Sequence, residues 1–167
     1  MKNDLETYLN DHLAGSAGGL MLAKRLAETA TDPAEKLFFH GLKDRIAEDR
    51  ETLESVIRKA GFQIGHVRQM VGSTLARAGI WRMDMNGLEI GDLGRFELIE
   101  LLAIGIHGKS LLWRTLHEIS DFHPEWNGDD FDKLERSAVC QSLSIEVYRG
   151  TEAMFLFGNL NAEEVTR

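Results

Sequence analysis

Apolar residues recur along this chain at spacings of three and four, the period of a helix that buries one face. Leu5, Leu9, His12, Ser16, Gly19, Ala23, Leu26 and Ala30 share a stripe and predict a first helix over about 4–30. Its segment Ala14-Gly15-Ser16-Ala17-Gly18-Gly19 is poor in helix propensity and reads as a place where another helix approaches closely. Thr31-Asp32-Pro33 is a start signal, with Asp32 as cap and Pro33 where its missing N–H costs nothing. The second helix covers about 33–60 with Leu42, Ile46, Asp49, Leu53, Val56 and Ala60 inward, and Gly61 stops it.

From 61 to 91 the pattern loosens. A short helix fits 66–78, and Asn86-Gly87 is a turn dipeptide. That connection far exceeds the roughly 2–8 residues usual between bundle neighbours. A third helix covers about 92–119. Ser120 to Gly128 is a loop, and a fourth helix runs over about 129–157, capped by Asp129 or Asp130. Its inner face is Phe131, Leu134, Ala138, Gln141, Ile145, Tyr148 and Phe155. No strand pattern persists, so the expectation is one all-α domain over 1–167, a four-helix bundle with a long crossover between helices 2 and 3.

A net charge of −8 offers no field for phosphates and argues against nucleic acid. No run is long and apolar enough for a membrane span, no apolar leader is seen, and the single Cys140 fits a reducing cytoplasm. Cys140 and Trp113 read as buried. Trp81 and Trp126, in loops, read as partly exposed interface markers, and His123 as solvated.

The stretches Tyr8-Leu9-Asn10-Asp11-His12-Leu13-Ala14-Gly15, Leu101 to Lys109, Leu112-Trp113-Arg114 and the grouping of Gln141, Glu146 and Arg149 carry a resemblance. Over residues 4–157 the chain resembles the ferritin-like superfamily, and is similar to uncharacterised bacterial ferritin-like proteins. The resemblance implies an up-down-down-up bundle. In active members four carboxylates and two histidines converge to bind two metals. Here Glu48-x-x-Glu51 and Glu97-x-x-Glu100 keep the spacing, but no Glu-x-x-His occurs anywhere, so the di-iron motif is missing.

Each helix carries one polar residue on its stripe near mid-length: His12, Asp49, His107 and Gln141. At about 1.5 Å rise per residue these fall within roughly two turns of one another. The first reading is a buried network in which His12 bonds Asp49 and His107 bonds Gln141. The alternative is a degenerate metal site, His12, Asp49 and His107 holding one iron, zinc or manganese, with Glu100 and Gln141 behind. Glu100 reads as a buried carboxylate paired to Arg149; Glu48, Glu51 and Glu54 read as a solvated face. Gly105 and Gly108, like the glycines of helix 1, read as close helix packing. The expected function is non-enzymatic, by self-association as a homodimer or by binding a protein partner, with no cofactor. Metal binding and small-molecule binding in the bundle interior are the alternatives.

Overall fold

The computed structural model describes residues 2–65 and 91–158. Four helices make up almost all of them: α1 (Lys2–Thr29), α2 (Pro33–Lys59), α3 (Asp92–Ile119) and α4 (Phe131–Phe157). Two short 3-10 turns, Ser120–Phe122 and Pro124–Trp126, join α3 to α4. Among the described residues there is no strand, and no helix is long and apolar enough to cross a membrane. The short helix expected over 66–78, the turn at Asn86-Gly87 and Trp81 lie outside the described residues.

Local chemistry sets the helix ends. The Asp32 carboxylate accepts from the Glu35 N–H at 2.9 Å, with Pro33 in the first turn. At the other end of α2 the Gly61 N–H donates to Arg58 O and the Phe62 N–H to Ile57 O, which is a Schellman closure. It requires the left-handed residue that Gly61 supplies at φ +71°. Of the two candidate caps for α4, Asp130 accepts from the Lys133 N–H at 2.9 Å, whereas Asp129 takes Lys59 Nζ. The glycine-rich stretch of α1 is continuous helix.

Side-chain ties fix the pairings. Gly19 faces Ile46, Arg50 reaches Ser16, and Asn10 reaches the Gln63 carbonyl, so α1 and α2 run antiparallel. Glu100 with Arg149, Lys109 with Gln141, and Arg114 with Glu135 do the same for α3 and α4. Tyr8 of α1 donates to Thr115 of α3 at 3.4 Å.

The core is in two pieces. One end is built from Leu22, Leu26, Phe39, Leu42, Leu98, Ile99, Leu102 and Ile145. The other is built from Leu9, Leu13, Leu53, Val56, Leu112, Trp113, Trp126 and Phe131. The break falls at the same height on every helix: after Leu13 on α1, between Ile46 and Leu53 on α2, between Ile106 and Leu112 on α3, and between Ala138 and Ile145 on α4. Polar side chains and empty space occupy that level.

Trp126, expected near the surface, is 2% exposed and donates its indole N–H to Val56 O at 3.1 Å. His123 stacks on it with ring centres 4.2 Å apart and lies 3.0 Å from Glu125. The loop therefore folds back as a plug on the bundle end, which a reading from turn residues alone misses. Cys140, expected to be buried, is exposed, as is Phe155.

Candidate functional site: a polar layer and cavity at mid-bundle

Two groups inside the layer cannot be left unpaired without cost: Asp49, 9% exposed, and Gln141, 1% exposed. Both find Lys109. Its ammonium donates to an Asp49 carboxylate oxygen and, at 2.7 Å, to the Gln141 carbonyl oxygen. The Gln141 amide lies 3.3 Å from Ser137 Oγ. One cation from α3 thus ties α2 to α4 through the middle of the bundle. Burial pushes the Lys109 amine below its ordinary range, Asp49 opposes that shift, and Arg45 adds to it.

The expected pairings are therefore corrected. Asp49 bonds Lys109, not His12, and Gln141 bonds Lys109, not His107. His107, which the spacing puts on the inner stripe, is exposed and outside the layer. His12 does lie in the layer, half-buried, its ring edge-on to Tyr8 at 4.7 Å. Burial lowers its pKa, opposed by Asp11. Glu100 pairs with Arg149 at 3.5 Å as expected, but its side chain is 44% exposed, and Arg149 sits closer to Glu146. Glu48 and Glu51 are exposed; Glu54 pairs with Arg50 and Arg58. Among the described residues no three His, Cys, Asp or Glu side chains converge as metal ligands would.

Beside this layer, between α1 and α3, lies a cavity of about 420 Å³. Ile46, Leu53, Leu102, Ile106 and Leu112 supply apolar wall; Tyr8, Asp11, His12, Ser16, Asp49, Arg50 and Lys109 supply its polar edge. Arg50 is held by Leu13 O at 2.6 Å and Ser16 Oγ at 2.8 Å, so it is braced against the wall. Trp113 is also in the wall, with a buried indole N–H that has no acceptor among the described residues. Gly15 and Gly105 are exposed while Asp49 is buried, so the cavity opens to the surface between the two helices.

Its glycines overturn another expectation. Gly15, Gly19, Gly105 and Gly108 all line the cavity. A Cβ at Gly15, Gly105 or Gly108 would meet nothing within 4 Å, and at Gly19 only Ile46 at 3.8 Å. Gly19 faces α2 through Ile46, whereas Gly15, Gly105 and Gly108 meet no neighbouring helix and keep space open. The signal for Lys109 was present in the sequence, since it continues the spacing Leu102, Ile106, Trp113 and Leu116 along α3.

A second polar cluster lies toward the start of α2. Glu35, Arg95 and Tyr148 bond one another, and Tyr148 stacks on Phe38 at 5.3 Å. Burial chiefly, with Glu152 adding and Arg95 opposing, pushes the Tyr148 phenol up to about 12. Comparison with family models, with curated proteins and with solved structures finds no match for this chain.

Proposed function

We propose that this chain is a non-enzymatic ferritin-like bundle, up-down-down-up, whose α1/α3 cavity holds a small, mostly apolar molecule. The topology is supported by the two ties between α2 and α3: Glu35 with Arg95 and Asp49 with Lys109 keep the same sequence offset, as parallel neighbours joined by a crossover would. One observation carries the binding role: glycines that destabilise a helix stand where no neighbour requires them, and an apolar space is what they leave. Its volume falls within the roughly 300–1,000 Å³ typical of ligand pockets. A metal site built on His12, Asp49 and His107 has less support, because Lys109 engages Asp49 and His107 points away.

The test uses N-phenylnaphthylamine, an uncharged dye whose emission rises outside water. Wild type is expected to give saturable, single-site binding. A Gly105→Leu/Gly108→Leu variant with unchanged helicity is expected to lose it. Absence of saturable binding to the wild type would sink the proposal.

Self-association is a second reading, favoured by one face of α4. Val139, Leu143, Val147 and Met154 are exposed and lie opposite the buried Ala138, Gln141 and Ile145. A second copy presenting the same stripe would cover it in an isologous pair. Sedimentation of wild type and of Leu143→Glu/Val147→Glu is the measurement: a dimer that dissociates in the variant supports the reading, and a monomeric wild type at all concentrations removes it.

A further inference from the structure

A lysine captures carbonyl compounds when three conditions meet: surroundings that disfavour its charge, a carboxylate to shuttle protons and face the product cation, and room for the carbonyl's substituent. Lys109 has all three. Its side chain is 12% exposed, it bonds the Asp49 carboxylate, and it stands in the wall of the apolar α1/α3 cavity. By contrast, the side chain of Lys24 is 66% exposed and pairs with Glu28 on its own helix.

We propose that Lys109 condenses reversibly with an aldehyde whose aliphatic body fills this cavity, and that Asp49 holds the resulting iminium. The proposal rests on the cavity reading above and names the ligand class it serves. The chemistry balances without any oxidant or reductant. The Lys109 ammonium first passes a proton to Asp49, and the free amine attacks the carbonyl carbon to form the C–N bond. The carbonyl oxygen collects that proton and one more from nitrogen, and leaves as water. The ammonium and the aldehyde thus become one iminium and one water, with the positive charge conserved beside Asp49. The iminium keeps a single N–H for Asp49, so the bond to Gln141 is released; Gln141 retains Ser137.

The experiment uses heptanal and, as its non-condensing counterpart, heptanol. Heptanol displacement of the naphthylamine dye reports whether the cavity accepts an aliphatic chain. Heptanal with cyanoborohydride, followed by peptide mapping, reports where a covalent bond forms. The expected result is displacement by heptanol together with a reduced adduct concentrated on Lys109 in the wild type. In Lys109→Arg, which keeps a cation beside Asp49, the reduced adduct at that position is lost. Displacement by heptanol with heptanal adducts spread over the surface lysines, Lys109 no more modified than they are, overturns the lysine proposal alone. Saturable dye binding that heptanol does not displace overturns this inference and leaves the cavity reading standing; no saturable dye binding in the wild type overturns both.

Discussion

Glycine does opposite work at two kinds of position here, and substitution separates them. Gly61 sits at φ +71° in the closure that ends α2. A Cβ there meets nothing within 4 Å, so the whole penalty of Gly61→Ala is conformational, about 1–2 kcal/mol for placing an L-residue in the left-handed region. Gly105 is interior to α3, and a Cβ there also meets nothing. Gly105→Ala is therefore expected to stabilise the fold by about 0.5–1 kcal/mol through helix propensity alone. Urea denaturation of the two variants beside wild type checks both signs. A destabilised Gly105→Ala would mean that the glycine serves packing, and would remove the physical ground for the cavity reading. At Lys109 the stakes are larger. Lys109→Met leaves Asp49 buried without its cation and is expected to cost about 3–5 kcal/mol. Asp49→Leu/Lys109→Met, which removes both charges, is expected to recover most of that loss.

At the scale of the element, what the sequence made legible follows from what is local. The ends of α2 and α4 are set by Asp32, Pro33, Gly61 and Asp130, each acting within a turn of its own position. Asp130→Ala is expected to lower stability by about 1 kcal/mol, read as a shift of the thermal midpoint, whereas Asp129→Ala removes a side-chain tie to Lys59 and leaves the cap intact. The rotation of α3 about its axis was less legible. Leu101, Leu102, Ile104, Ile106, Leu111 and Leu112 make it apolar nearly all round, and Ile104 is 69% exposed. Periodicity then fails to single out one face, and His107 and Lys109, two positions and about 200° apart, exchange places between the reading and the fold. On α2 the apolar residues from Leu42 to Val56 hold one stripe, and Asp49 lies on it, buried as its spacing predicts. The Trp126 plug was missed for a different reason, because a loop's turn residues say nothing of which side chain returns to the bundle end.

Across the whole molecule, the split core couples protonation to folding. His12 belongs to the layer between the two apolar clusters, and burial lowers its pKa from the ordinary 6.5 in spite of Asp11. The unfolded chain therefore takes up this proton at a higher pH than the folded one. As pH falls through 6.5 the unfolded state gains a proton the fold resists, so His12 subtracts stability progressively until pH passes its lower folded value. Above that window both states are neutral and the residue contributes no slope. The loss is local to the level where Lys109 already carries a positive charge, so the new charge would share its cavity wall with that cation and with Arg50. His12→Phe keeps a ring against Tyr8 but cannot titrate. Denaturation midpoints taken at about pH 7.5 and about pH 5.5 are expected to fall further for wild type than for the variant. Equal falls in the two proteins would place the acid sensitivity elsewhere and leave His12 as a packing residue. A larger fall in wild type would assign that share of the acid sensitivity to the half-buried His12 imidazole in the cavity wall.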